Sequence, residues 1–405
     1  MVSTVSLDAI LHKHRIRPTI QALQEELVQW RRTLHQKPEL AFNETITAEF
    51  ITQQLTTWGI PHETGVAKTG IVAIIEGTTA GKVLAIRADM DALPIQEENE
   101  VDYRSQHDGI MHACGHDGHV AIALGTAKYL HEHRDSFQGT VKLIFQPAEE
   151  SPGGAKPMIE AGVLKNPDVD AIIGLHIWNN LPLGTVGVRP GALMASAESF
   201  HIYIQGKGGH GALPHQTVDS IVVGSHIVTT LQTMVSRTVN PLDAAVVTVG
   251  EFKAGKAHNV IADYAELSGT VRYFNPELTA VMGDRLETII NGVCQSYGAT
   301  YELDYVRLYP PTINDPEMAA LVKSVAEETI ETPLGVVPDC QTMGSEDMSF
   351  FLQEVPGCYF FLGSANPQRD LAYPHHHPLF NFDETVLGMG VEMFARCVEK
   401  FLAIA

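Results

Sequence analysis

The segment VKLIFQPAEE at 141–150 runs from five strand-forming residues straight into a pair of adjacent carboxylates. VKLIF reads as a buried strand that ends directly on Gln146, Pro147, Ala148, Glu149 and Glu150. Two neighbours behave alike: KVLAIRADM at 82–90 closes on Asp89 and Asp91, and AIIGL at 171–175 ends directly on His176. IVAIIEG at 71–77 supplies another strand. Between them Val120, Leu124, Ala127 and Leu130 recur at helical spacing. Upstream, Ile20, Leu23, Leu27, Trp30 and Leu34 predict a helix starting at Pro18, and a second runs from Glu44 to Trp58 with Gly59 as its stop. Buried β-rich runs alternating with helices predict an α/β layer around a largely parallel sheet. Functional groups of such sheets gather beyond the carboxyl ends of the strands, where Asp89, Glu149, Glu150 and His176 fall.

From about residue 198 the pattern changes. Strand (200–207), helix (217–237), strand (244–252), strand (265–274), helix and strand (299–308) follow in the β-α-β-β-α-β order of a ferredoxin-like unit. Asn275 and Pro276 open its second helix and Gly298 follows the end. The chain then returns to the first layer through a helix at 316–330, the apolar run GCYFFLG at 357–363 and an amphipathic helix from Asp383. The expected organisation is a domain of residues 1–194 and 310–405 with an insert of 195–309. Proline and glycine cluster at both junctions.

Bulk properties narrow the function classes. At 405 residues, two domains are expected. A formal charge of −21 argues against nucleic acid or an anionic membrane as partner, because both need a basic face. Five cysteines without a CxxC pair do not form a disulfide framework. The opening MVSTVSLDAILHKHRIRP lacks an apolar core with a cleavage site, and no run approaches the length of a membrane span, so a reducing cytosol is the expected compartment.

The chemistry concentrates in MHACGHDGHV at 111–120. Cys114 and His116, two apart, can converge on one ion, and thiolate with neutral imidazole suits zinc and its neighbours. His119, one helical turn on, suits a place behind the ligands. Of Glu149 and Glu150, whose side chains leave an extended backbone in opposite directions, one can hold metal while the other acts as general base toward a water. His176 closes a strand, and Pro374, His375, His376, His377 and Pro378 form a restricted imidazole-rich loop. Each has a plain structural reading: a solvated acidic pair, a core histidine, an exposed loop, a buried thiol. Their coincidence at strand ends favours a site. Cys114, His116, one glutamate, His176 and one histidine of 375–377 make five donors, more than one tetrahedral ion accepts beside a water. Two ions roughly 3.5–4 Å apart fit that number.

The segments WRRTLHQKPELAFNE, RADMDALPI, MHACGHDGHVA, FQPAEE, GLHIWN, GKGGHGALPH, NVIADYAELSGTVR, GSEDMSFF and HHHPLFNFDE, in order from about residue 26 to the C-terminus, resemble the motifs of the metal-dependent amidohydrolases. That group comprises indole-acetyl-amino-acid hydrolases, hippurate hydrolases and N-acetyl-diaminopimelate deacetylases, with aminoacylases and glutamate carboxypeptidases further off. The resemblance implies a zinc-peptidase-like α/β catalytic domain with an inserted ferredoxin-like lid and dimerisation domain. It implies Cys114, His116, Glu150, His176 and His376 as ligands of two divalent ions (manganese, zinc, cobalt or nickel) and Glu149 as general base. It implies His210 of the lid as oxyanion stabiliser, and Asn259 and Arg272 as binders of the substrate carboxylate or carbonyl. Two positions depart from the pattern. Arg87-Ala88-Asp89 replaces a distant His-x-Asp, leaving Asp89 an orienting rather than a ligating role, and Ala262 stands where a proline is usual.

The expected activity is hydrolysis of the amide bond of an N-acyl amino acid by a homodimer, with a tetramer as the larger alternative. N-acetyl-diaminopimelate deacetylation or small-peptide hydrolysis would use the same groups. Two other readings are a cysteine hydrolase with Cys114 activated by His116, which leaves Glu150, His176 and His376 idle, and a non-catalytic metal-binding protein, against which an intact Glu149 argues.

Overall fold

The computed structural model describes residues 15–330 and 335–403. Most of the stretch read as free of a leader, 1–14, lies outside the described residues. Two compact units form. One comprises Met1–Leu193, Ile313–Cys340 and Phe350–Ala405; the other Met194–Thr312 and Gln341–Ser349. No local pattern in the sequence marks the assignment of Gln341–Ser349 to the second unit.

In the first unit eight strands form one sheet in the order His62–Val66, Gly70–Glu76, Thr140–Gln146, Val83–Asp89, Ala171–Pro182, Gly357–Ala365, Val186–Gly187, Val336–Val337. The four central strands, Thr140–Gln146 through Gly357–Ala365, run parallel. Gly70–Glu76 pairs antiparallel to Thr140–Gln146, and Val186–Gly187 to Gly357–Ala365, so the sheet is mixed rather than largely parallel. Val83–Asp89 is buried at every position, as a strand covered on both faces must be. Its register sets Asp89 beside Gln146, so the aspartate and the turn after Gln146 leave the sheet at one level.

Helices Gln24–His35, His116–Glu132 and Val386–Phe401 share one core with this sheet, which gathers Leu27, Leu124, Val391, Ile86, Ile173 and Phe360. A Cβ on Gly125 would stand 2.5 Å from Leu27 Cδ2 and 2.9 Å from Val391 Cγ2, so glycine there lets the three helices close together. Two expectations need correction. The helix expected from Pro18 is split into a single turn, Pro18–Gln21, and the helix Gln24–His35. The strand expected to end before His176 continues to Pro182, which places His176 mid-strand opposite Phe361, because Ile177 and Trp178 extend the pairing with Gly357–Ala365.

The second unit has four antiparallel strands in the order Ala245–Ala254, Tyr264–Tyr273, Ala197–Gln205, Thr300–Tyr309. Helices Ser220–Thr233 and Met282–Tyr297 supply the rest of its own core, in which Phe200, Ile202 and Ile204 meet Leu231, Leu286 and Ile290. Asn275 caps a short 3-10 turn, Pro276–Ala280, and Gly298 ends the second helix in the left-handed conformation. Among the described residues no helix is long and apolar enough to cross a membrane.

Ile173 is fully buried in a central strand. Ile173→Ala is expected to cost about 2–5 kcal/mol, read as a lower urea midpoint with an unchanged slope.

Candidate metal centre

Three segments converge at the carboxyl edge of the first unit's sheet. The strand Thr140–Gln146 ends, Ala148 adopts a left-handed φ of 56°, and the chain turns through Glu149 and Glu150. Because this is a turn, the two carboxylates do not diverge: both bring an oxygen within 4.8 Å of a His116 ring nitrogen, correcting the expectation for an extended backbone. Gly115 lies at φ 93° just before the helix His116–Glu132. That conformation, which L side chains rarely adopt, sets Cys114 and His116 toward one point. The strand Ala171–Pro182 brings His176, whose Nε2 lies 3.4 Å from Cys114 Sγ.

The donors interlock as triplets within 4.8 Å: Cys114, His116 and His176; Cys114, Glu150 and His376; His116, Glu149 and Glu150. Each ring is oriented from behind. His116 Nδ1 faces the Asp91 carbonyl at 3.0 Å and Asp91 Oδ1 at 3.2 Å, leaving Nε2 forward. His176 Nδ1 donates to the Ile177 carbonyl at 2.6 Å, leaving its Nε2 toward the thiol. In the 375–377 loop His375 Nε2 donates to the Ile177 carbonyl, and His377 Nδ1 accepts from the Leu379 amide. His376 Nε2 stands 3.1 Å from Glu150 Oε1. This backing of ligand rings by carbonyls and carboxylates is the usual second layer of a metal site.

The donors present fit divalent cations. His116 Nε2 is buried without a hydrogen-bond partner, and Glu150 Oε1, buried too, meets only the His376 ring at 3.1 Å, an expensive arrangement unless a cation completes it. Burial alone would lower His116, yet Asp89, Asp91 and Glu150 push it up to about 10. A pocket that holds a proton so tightly is a pocket of negative potential. Burial pushes the Cys114 thiol well up, and Glu150, Glu149 and Asp89 push further, while burial holds His176 well below the usual histidine range. The raised thiol runs against the thiolate that a Cys114 nucleophile paired with His116 would need, so the electrostatics lend that reading no support.

His119 and Asp89 work behind the site. His119 Nε2 accepts from the Ile177 amide at 2.9 Å, so its Nδ1 carries the proton that goes to Asp89 Oδ1 at 2.6 Å. Burial would raise Asp89, but His116, His119 and Arg87 hold it well below the usual carboxylate range. Asp91, which the sequence offered only as the second acid of RADMD, is the more central: besides His116 it accepts from the Glu149 and Glu150 amides at 3.0 and 3.1 Å. Its one local cue was its spacing from Asp89. A buried network also stands behind His116, where Asp117 accepts from Arg31 Nε at 2.8 Å and His35 Nδ1 at 2.7 Å, and His35 Nε2 reaches Glu97.

His210, Asn259 and Arg272 all belong to the second unit. His210 is exposed on the short strand Gly209–His210, paired with Val260–Ile261, and the Asn259 carbonyl accepts from Gly211. Arg272 is half-buried, donating to Thr270 and Ser345 hydroxyls at 3.1 and 2.9 Å, and burial lowers its guanidinium.

An α/β sheet with clustered thiol, imidazole and carboxylate donors beside a spare carboxylate defines a metal-dependent hydrolase. Residues 85–400 match the model of peptidase family M20/M25/M40, and the chain belongs to that family. It is 45% identical over 306 residues to an N-acyl-L-amino acid amidohydrolase of Geobacillus stearothermophilus, covering 75% of this chain and 82% of the relative. It is 40% identical over 378 residues to the IAA-amino acid hydrolase ILR1-like 4 of Arabidopsis thaliana, covering 92% and 84%. The solved YXEP protein of Bacillus subtilis, described as a dinuclear metal binding peptidase of the M20 family, superposes with a TM-score of 0.81 at 37% identity over 94% of this chain and 99% of that one.

Asp117 gives a pH signature. Burial would raise it, but Arg31 and His35 hold it far below the usual carboxylate range. A depressed folded value contributes stability that is fully present above the unfolded value of about 4 and is lost as pH falls below it. Asp117→Asn is expected to lose about 3 kcal/mol at neutral pH, by removing the fully buried one of Arg31's two carboxylate partners and leaving it only Glu384. Its urea midpoint, measured in chelator, should fall less steeply with acid than that of the parent.

Proposed function

We propose that this chain hydrolyses the amide bond of N-acyl-L-amino acids, releasing the free amino acid and the carboxylic acid, with two divalent cations held by Cys114, His116, Glu150, His176 and His376. The observation that carries the reading is the set of interlocking donor triplets, which take in Glu149 and enclose a buried His116 Nε2 with no hydrogen-bond partner. The named activities of the relatives support the substrate class. When bound, the cations supply Lewis acidity and acidify water.

Glu149, buried and fixed at its amide by Asp91, takes the proton of the attacking water and returns it to the leaving nitrogen. Asp89 acts through His119, keeping its ring and the Ile177 amide in place beneath His176. The second unit, read here as a ferredoxin-like insert, serves as a lid and as the dimerisation surface of a homodimer. On it His210 steadies the developing oxyanion and Asn259 the substrate carbonyl. Arg272, whose guanidinium meets hydroxyls at Thr270 and Ser345, takes the substrate carboxylate. In this reading residues 1–194 and 310–405 make the catalytic domain and 195–309 the insert, with Gln341–Ser349 belonging to the second compact unit. Five buried free thiols support a cytoplasmic location.

The test is release of amino acid from N-acetyl, benzoyl and indole-acetyl conjugates before and after chelation, with manganese, zinc, cobalt or nickel restored. Activity should vanish with chelator and return with metal; activity indifferent to chelator would end the reading. Glu149→Gln is expected to lower kcat at least about 100-fold, the scale of general-base catalysis, while metal stoichiometry stays unchanged by elemental analysis.

A further inference from the structure

The segment WRRTLHQKPELAFNE at 30–44 takes no part in the reaction just described, yet its last residue reaches the site's backbone. Glu44 is fully buried. Its Oε1 accepts from the Phe42 amide at 2.8 Å and from the Ala148 amide at 2.9 Å, 104 residues away; its Oε2 accepts from the Thr69 hydroxyl at 2.6 Å. Phe42 and Ala148 are both non-glycine residues at positive φ, 59° and 56°. Such backbone persists only where its surroundings over-determine it. The two amides after Ala148, those of Glu149 and Glu150, are taken by the two oxygens of Asp91. Three successive N–H groups of the turn are therefore gripped by two buried carboxylates from elsewhere in the chain, and Glu44 holds the residue at which the turn leaves its strand.

We propose that Glu44 is a positioning residue: by anchoring the left-handed Ala148 it fixes the direction in which Glu149 and Glu150 leave the sheet edge. This rests on the roles given to those two glutamates above. Both Glu44 oxygens are spent on Phe42, Thr69 and Ala148, so its loss should change how well the two carboxylates are placed rather than how substrate binds. A glutamine keeps an acceptor oxygen for the two amides and should preserve most of that function; an alanine leaves the Ala148 amide buried and unpaired.

The experiment compares Glu44→Ala, Glu44→Gln and Glu39→Ala in the full metal-loaded enzyme, with Glu149→Gln alongside. Glu39 accepts from Ile46 and Thr47 amides at the start of the same helix, and so controls for general weakening of that region. Expected for Glu44→Ala are a kcat lowered about 10- to 100-fold with KM nearly unchanged, weaker metal binding in calorimetric titration of the chelated protein, and faster hydrogen exchange at the Ala148 amide. Glu44→Gln should recover most of the kcat and the slow exchange. Unchanged kcat and exchange in Glu44→Ala, or a kcat loss equalled by Glu39→Ala, would overturn the proposal. Should Glu44→Ala not fold, Thr69→Val carries the test: a several-fold fall in kcat supports it and none overturns it. An active Glu149→Gln would instead bring down the general-base reading, whereas an inactive one beside a fully active Glu44→Ala sinks the anchoring role alone.

Discussion

Asp91 is the contact on which the candidate centre depends. One carboxylate, buried among other acids, orients His116 through its Nδ1 and takes the amides of Glu149 and Glu150 on its two oxygens. Placing that many negative groups together in a low-dielectric region costs a great deal unless each lone pair finds a donor or a cation. The backbone supplies donors behind the site, and His116 Nε2 and Glu150 Oε1 are left forward for a cation. Geometry and electrostatics therefore require the same occupant.

The same logic extends outward. Asp117 follows His116 directly and is tied to Arg31 and His35 of the helix Gln24–His35, while Arg31 also reaches Asn381 and Glu384 just beyond the imidazole loop. One guanidinium thus joins the helix that starts at His116 to the stretch that follows His376. Such a network is expensive to bury and weak evidence for net stability, but it makes wrong arrangements costlier still. In Thr140–Gln146, Lys142 is buried by another route: its ammonium donates to the carbonyls of Val163, Lys165 and Pro167, pinning that loop to the strand that leads into Glu149.

Much of this was legible in the linear chain. Buried runs ending on acids gave the strands and the edge where the donors gather, because a strand covered on both faces has no room for polar residues until it leaves the sheet. Cys114 with His116 was legible because a two-residue spacing is a local geometry. The extension of the strand through His176 was not, since it depends on pairing with Gly357–Ala365, nearly two hundred residues on. The convergence of Glu149 and Glu150 was also hidden, because it follows from a left-handed Ala148 that no side-chain pattern announces.

The sequence by itself determined the residue types available to the centre and the α/β alternation, since these follow from periodicity and local chemistry. Tertiary structure alone decided that His119 has both nitrogens committed, that His375 and His377 spend theirs on backbone groups, and that Asp91 rather than Asp89 carries the His116 ring. The reason is directional: a ring nitrogen is available or spent according to partners that the fold brings from distant segments, and spacing along a chain carries no record of them.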